Sequence, residues 1–176
     1  MLIQTLQNSD LYDHPVKKFR VLETHGAWVL LTGFFAYKIK KPVNFVFLDY
    51  STLEKRLFFC QEELRLNQLL AAELYEEIVP ITGTAEKPML NGTGPIIDYA
   101  IKMKEFPQEN LFSQLLKNNQ LSLALIDQLA IDIADFHAKI PSQNVDNIQG
   151  PVQQNFDQIR PLIKDHTQLN RLEVWA

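Results

Sequence analysis

A lysine on a predicted strand and a glutamate on the helix that follows it are the residues best placed for chemistry. Ala36, Lys38 and Lys40 share one face of the strand, because side chains alternate along an extended chain. The small side chain of Ala36 leaves room for a planar ring such as adenine, and the ammonium of Lys38 can reach phosphate. Glu63 supplies a carboxylate of the kind that holds such a lysine in place for phosphoryl transfer. These residues predict a nucleotide-phosphate site.

The same residues have structural interpretations that the sequence leaves open. Lys38, Lys40 and Lys41 together would also guard a strand edge against aggregation. Glu62 and Glu63 have basic neighbours on their helix, as solvated helix faces often do. A solvated helix face is therefore the structural interpretation of both glutamates.

Five short strands are expected in the first part of the chain. Apolar and aromatic residues separated by His25-Gly26-Ala27 and by Thr32-Gly33 predict strands at 19–24, 28–31 and 35–40. A fourth strand is predicted at 78–81. Between residues 97 and 103 apolar and polar side chains alternate, so one face of the fifth strand should lie in a core and the other largely in water. The segment 83–95 is predicted to be a loop or a hairpin tip.

One helix is expected between the third and fourth strands. Ser51 and Glu54 have the spacing of a capping box, so the helix should begin there and run to about residue 72. Its leucines recur at helical spacing, and Glu63 precedes Leu66 and Leu70 on the same side. A carboxylate beside apolar core positions is costly unless a cation compensates it, which favours the ion pair with Lys38.

The last third of the sequence reads as helix throughout. Helices are predicted at 110–118, at 123–139 with Ser122 as the cap, and from about residue 153 with an interruption at Pro161. The segment 141–151 is predicted to be a loop, and the chain is expected to stop in mid-element. The helix at 123–139 has an apolar stripe, which should drive self-association if it is exposed.

Composition and charge exclude several function classes. The formal charge is -4 and the pI near 5.6, without the basic excess of proteins that bind nucleic acid. A single cysteine, Cys60, cannot form an intrachain disulfide, and no apolar run is long enough for a membrane helix. We expect a cytoplasmic protein with neither nucleic-acid nor membrane partners.

The sequence resembles the amino-terminal part of the aminoglycoside-phosphotransferase-like proteins, some uncharacterised members of which are fused to a P-loop nucleotide-binding domain. The resemblance covers roughly residues 21–138 and rests on three runs: WVLLTGFFAYKIKKPVNFVFLDYSTLEKRLFFCQEELRLNQLLAAELYEEIVPITG, DYAIKMKEFPQENLFSQLL and IADFHAKI. It implies an α+β fold of the protein-kinase type. Residues 1–106 would form the small lobe, a five-stranded antiparallel sheet with one helix, and residues 107–176 the first helices of the large lobe.

The resemblance also implies a function and a set of site residues. The chain would be the ATP-binding portion of a small-molecule kinase that uses ATP and Mg²⁺ and phosphorylates an unknown small-molecule acceptor. Lys38 would be the nucleotide-binding lysine, Glu63 its partner with Glu62 as the alternative, and Gly26 part of the turn over the phosphates. The hinge that meets the adenine edge would consist of Met103, Lys104, Glu105 and Phe106.

The sequence departs from the family at its catalytic residues. The family transfers phosphate with an H-x-D-x-x-x-x-N loop and a later Asp that holds magnesium, but none of the four histidines begins an H-x-D. No G-x-G-x-x-G or P-loop motif is present either. We therefore assign no catalytic or metal-binding residue, and expect at best weak nucleotide binding without turnover. The alternative is a non-catalytic binding or interaction module derived from a kinase-like lobe.

Overall fold

The computed structural model describes residues 1–45, 47–139, 149–163, 167, 170 and 171. These residues form an α+β fold with an antiparallel sheet of six strands and with five α-helices. The strands are β1 Arg20–Glu23, β2 Ala27–Leu31, β3 Phe35–Lys40, β4 Tyr75–Gly83, β5 Pro88–Leu90 and β6 Ile96–Lys104. The helices are α1 Leu2–Thr5, α2 Leu53–Ala71, α3 Phe112–Lys117, α4 Leu123–Lys139 and α5 Gln149–Ile159.

The sheet has the strand order β1-β2-β3-β6-β4-β5, so β3 and β6 lie side by side at its centre. In this register Ala36 lies opposite Leu31 of β2 and Met103 of β6, and Lys38 lies opposite Val29 and Ile101. A side chain on the middle of β3 is therefore flanked by a strand on each side, and Lys38 is not on a sheet edge.

The sheet has six strands because residues 83–95 form a hairpin arm and not only a loop. Three residues, Pro88–Leu90, pair with the end of β4 at the sheet edge. Gly83 has a φ of 92°, a left-handed conformation that glycine adopts without strain. Pro88 is compatible with an edge strand, because its missing N–H leaves no ladder bond unmade. The prediction of five strands was wrong by this short one.

One face of the sheet is covered by residues that precede the first strand. Ile3 and Leu6, which lie in and directly after α1, are buried against Tyr37, Ile39 and Ala100 in the main hydrophobic cluster. This packing corrects the prediction that the polar and small residues of β6 face water, because Ala100 is only 1% exposed. A four-residue helix is too short to show helical periodicity, so nothing in the sequence indicated the cover.

Helix α2 differs from its prediction in its cap and in its inner face. Thr52 is the N-cap, and its hydroxyl accepts a hydrogen bond from the N–H of Lys55, whereas Ser51 bonds to Asp49. The buried residues of the helix are Arg56 and Cys60. The leucines expected on the core side at 66, 69 and 70 are exposed. Glu63 therefore shares its helix face with Arg56 and Cys60, at i+7 and i+3, and not with those leucines.

Within the described residues, everything after β6 is helix, turn or loop. Helix α4 has the predicted bounds, and the hydroxyl of Ser122 accepts a hydrogen bond from the N–H of Leu125. Helix α5 ends at Ile159, and Pro161 lies in the 3-10 turn Arg160–Leu162 that follows, as the interruption predicted. It begins at Gln149, inside the segment predicted to be a loop; residues 140–148 and 172–176 lie outside the described residues.

The chain divides into two compact units, Met1–Leu125 and Ile126–Ala176. The first contains the whole sheet, α1, α2 and α3, and all the residues predicted to form the site. None of the helices in the described ranges has both the length and the apolar character that crossing a bilayer requires.

Candidate functional site

Lys38 and Glu63, which the sequence predicts as partners, are in direct contact. The Nζ of Lys38 donates a hydrogen bond to Oε1 of Glu63 at 2.6 Å. The Lys38 side chain is 30% exposed and that of Glu63 is 16% exposed, so the pair lies at the border between interior and solvent. Glu62, the alternative partner, is on the surface, where its carboxylate accepts hydrogen bonds from Arg65.

A second lysine shares the same carboxylate. The Nζ of Lys40 lies 2.7 Å from Oε2 of Glu63, and its side chain is only 3% exposed. The Tyr50 ring covers this ammonium, with its centroid at 4.7 Å and its hydroxyl at 3.5 Å. Strand alternation had put Lys38 and Lys40 on one face, but the sequence offered no sign that the helix carboxylate would bind both.

The electrostatics of the cluster favour the charged forms of Glu63 and Lys40. Burial by itself would raise the pKa of Glu63, but hydrogen bonds and charges from Lys38 and Lys40 outweigh it, and the pKa is lowered. Burial by itself would lower the pKa of Lys40, but the hydrogen bond and charge of Glu63 outweigh it, and the pKa is raised. Two ammonium groups then face one carboxylate, which leaves an excess positive charge beside the sheet.

A buried ion pair fixes α2, and with it Glu63, against the sheet. Arg56 Nε donates to Oδ1 of Asp98 on β6 at 2.8 Å, and Arg56 Nη1 donates to the carbonyl oxygen of Tyr50 at 3.1 Å. Burial raises the pKa of Asp98 despite its hydrogen bond from Arg56. Glu63 is therefore held by a helix that is anchored about two turns earlier, at Arg56.

An apolar pocket of about 250 Å³ lies against the face of β3 that carries Lys38, although Lys38 itself does not line it. Ala36 and its register partners Leu31 and Met103 line it, and Val29, the partner of Lys38, does so too. The other lining residues are Leu22, Leu74, Tyr75, Lys104, Glu105, Phe106 and Gln108. Such a size, just below the roughly 300 Å³ at which most ligand pockets begin, suits a flat ring.

The segment predicted as a hinge forms one end of this pocket. The N–H groups of Lys104 and Glu105 donate to the carbonyl oxygens of Leu74 and Phe34, each at 2.8 Å. Within the described part of the chain the N–H of Phe106 donates no hydrogen bond. Phe106 thus lines the pocket and has a backbone N–H without a partner among the described residues.

The side chain of Glu105 ties the hinge to the turn between β2 and β3. Its Oε2 accepts a hydrogen bond from the N–H of Gly33 at 2.7 Å. Gly33 has a φ of 91°, and a Cβ built there would lie 2.8 Å from Cβ of Lys17, so only glycine fits this turn. The sequence had marked Gly33 as a turn residue and Glu105 as a hinge residue, but not their contact.

Gly26 lies at the far end of β3 from the pocket, beyond Lys38. Its neighbour Ala27 is opposite Lys40, and its carbonyl oxygen accepts a hydrogen bond from the N–H of Lys41 at 2.8 Å. A Cβ at Gly26 would lie 3.0 Å from Cδ2 of Leu48, so the turn is packed against the segment before α2. Pocket, lysine and turn thus follow one another along β3.

The described residues contain no group of three or more His, Cys, Asp or Glu side chains that could hold a metal ion. Glu63 is fully engaged by two lysines, and Glu105 accepts the N–H of Gly33. The excess positive charge of the lysines, on the strand face that lines an apolar pocket, suits an anion that carries a flat apolar group.

Similar proteins occur in mycobacteria. An uncharacterised protein of Mycobacterium bovis and two uncharacterised proteins of Mycobacterium tuberculosis are each 29% identical to the chain over 142 residues. The matched region is 79% of this chain but 27% of each relative, so the chain spans about a quarter of the length of the curated relatives it matches. No protein-family model matches the chain, and no solved structure matches it.

Proposed function

We propose that this chain is the ATP-binding portion of a small-molecule kinase of the aminoglycoside-phosphotransferase type, with a protein-kinase-like small lobe. The observation that carries the proposal is the Lys38–Glu63 ion pair beside an apolar pocket. A lysine fixed by a helix carboxylate next to a base-sized pocket is the arrangement that kinases use for the α- and β-phosphates.

The adenine and the phosphates of ATP each have a counterpart among the residues of the first unit. The adenine ring would lie in the pocket beside Ala36, with the N–H of Phe106 donating to a ring nitrogen. The phosphates would lie toward Lys38 and the Gly26 turn, where the lysines exceed the carboxylates in charge. When bound, ATP supplies the γ-phosphoryl group that a kinase transfers.

These residues account for nucleotide binding. In the described ranges no three His, Cys, Asp or Glu side chains come together in a group that could hold a metal ion, and Mg²⁺ would accompany ATP on its phosphates. The 176 residues contain no H-x-D, so we assign no group that would activate an acceptor hydroxyl. The acceptor is an unspecified small molecule.

A thermal-shift titration with Mg-ATP tests the proposal. At tenfold over Kd, ligand linkage should raise the Tm of the wild type by about 3–6 °C. Lys38→Met should abolish this rise, because it removes the phosphate-binding cation while leaving the core intact.

Lys102→Met is the matched control. Lys102 is a mostly buried lysine on neighbouring β6 that pairs with Glu76 and Glu77 and does not line the apolar pocket. The Lys102→Met substitution should lower the Tm but keep the response to Mg-ATP. A response in Lys38→Met equal to that of the wild type contradicts the proposal, as does a wild type that does not respond.

A further inference from the structure

Lys40 is buried to a degree that is rare for a lysine. Its side chain is only 3% exposed, and removing an ammonium from water costs several kcal/mol unless good partners replace the solvent. Its partners are Oε2 of Glu63 at 2.7 Å and the ring and hydroxyl of Tyr50. Such a costly group calls for an explanation beyond packing.

The contacts of Glu63 suggest what Lys40 does. Oε1 binds Lys38 and Oε2 binds Lys40, so each oxygen of the carboxylate has its own ammonium. The last torsion of a glutamate side chain is soft, and one ammonium alone would leave the carboxylate free to turn. Lys40 removes that freedom and thereby determines where Oε1, and so Nζ of Lys38, lies.

Lys40 also changes the charge that a ligand meets. Glu63 with Lys38 alone would form a neutral pair, which attracts a phosphate weakly. With Lys40 the three side chains carry one net positive charge if all are ionised, and the pKa directions of Glu63 and Lys40 favour that state. The excess positive charge is accessible to a ligand at Lys38, since Tyr50 covers Lys40.

A purely structural role for Lys40, as an ion pair that holds β3 and α2 together, explains its buried charge less well. The helix is already anchored by the buried pair of Arg56 with Asp98. Buried ion pairs contribute little stability beyond what an apolar pair of the same volume would provide. A clamp does not need a charge there.

We propose that Lys40 is a positioning residue for the nucleotide: it holds Glu63, which in turn orients Lys38 and leaves that lysine a positive charge for phosphate. Lys40 itself does not touch the ligand. This inference rests on the proposed function, because it concerns the same site.

Nucleotide affinity in four variants of the 176-residue chain tests the inference. Calorimetric titration with Mg-ATP should give no detectable binding for Lys38→Met and a Kd roughly 5- to 50-fold weaker for Lys40→Met. Lys102→Met should stay within about twofold of the wild type. The double variant Lys38→Met/Lys40→Met should behave like Lys38→Met alone, because Lys40 acts only through Lys38.

Labelling with an acyl phosphate of ATP separates positioning from affinity. The lysine amine attacks the acyl carbon, an amide forms, a proton is released and ATP leaves. In the wild type, mass spectrometry should find the acyl group on Lys38 and not on Lys40. At saturating probe, Lys40→Met should label Lys38 several-fold more slowly, an effect that a loss of stability in a folded variant does not produce.

The outcomes distinguish the inference from the proposed function. If Lys38→Met loses binding while Lys40→Met binds and labels like the wild type, the inference fails and the function stands. An acyl group on Lys40 also overturns the positioning role. Binding that is absent in the wild type, or unchanged in Lys38→Met, overturns both. Lys40→Gln, which keeps an N–H donor for Glu63, replaces Lys40→Met if that variant does not fold, and should give a smaller loss of affinity in the same direction.

Discussion

The charge of Glu63 is the residue-scale feature on which the site depends. Two lysines hold its carboxylate, and its pKa is lowered although burial by itself would raise it. The folded state therefore favours the ionised carboxylate more than the unfolded chain does. By linkage, this difference in pKa makes the free energy of unfolding depend on pH.

The stability difference between the wild type and Glu63→Gln should depend on pH in a definite direction. Because the folded pKa lies below the ordinary 4.5, the stabilisation is complete above pH 4.5 and is lost as the pH falls through the folded pKa. We expect the variant to be less stable by roughly 3 kcal/mol near neutral pH, and the difference to shrink below pH 4.5. Urea denaturation at a series of pH values measures it.

Glu62→Gln is the control for this prediction. Glu62 is the adjacent carboxylate, but it pairs with Arg65 on the surface, where ion pairs contribute little. The free energy of unfolding of Glu62→Gln should match that of the wild type across the pH range. Equal effects of the two substitutions would contradict the role assigned to Glu63.

At the scale of the elements, the start of α2 offers a choice between two adjacent residues with similar side chains. The hydroxyl of Thr52 accepts the N–H of Lys55 at 3.3 Å, whereas Ser51 donates its hydroxyl to Asp49. Thr52→Ala should cost about 1 kcal/mol, because it leaves a helix N–H without its partner. Ser51→Ala should cost within about 0.5 kcal/mol. Thermal denaturation of both variants decides which residue is the cap.

The elements with long, regular patterns were those that the sequence predicted well. The strand at 35–40 and the helix at 123–139 have the predicted bounds, and α2 ends one residue before its predicted end. Strand β5 was missed because three residues cannot show an alternation. The sequence predicts Ser51 and not Thr52 because a capping box is defined only by the spacing of its residues. Which of two neighbouring hydroxyls caps the helix depends on how the backbone bends there, and tertiary packing determines that bend.

The candidate site was predictable only where one element decides it. Alternation along β3 was enough to put Ala36 and Lys38 on one face, and the pocket and the ion pair are on that face. The binding of Lys40 by Glu63 depends on how closely α2 packs on the sheet, which is decided by Arg56 and Asp98. No pattern within a single strand or helix indicates how close Glu63 comes to Lys40.

At the scale of the whole molecule, apolar side chains remain accessible on α4. Leu125, Leu129 and Ile133, spaced four residues apart, are each more than 40% exposed. Contiguous apolar patches of this kind drive association. We expect light scattering to find dimers or larger species as the protein concentration rises, and Leu129→Glu to reduce them without lowering the Tm. A wild type that stays monomeric at high concentration would contradict this.

The packing of Ile3 and Leu6 against the sheet makes the residues before the first strand part of the folded core. A shortened version that starts at the first strand would strip two buried side chains from the main hydrophobic cluster and bare the back of β3 and β6. Removing large core side chains costs about 2–5 kcal/mol each, a large fraction of a domain's total stability. The first dozen residues are therefore needed for a stable fold.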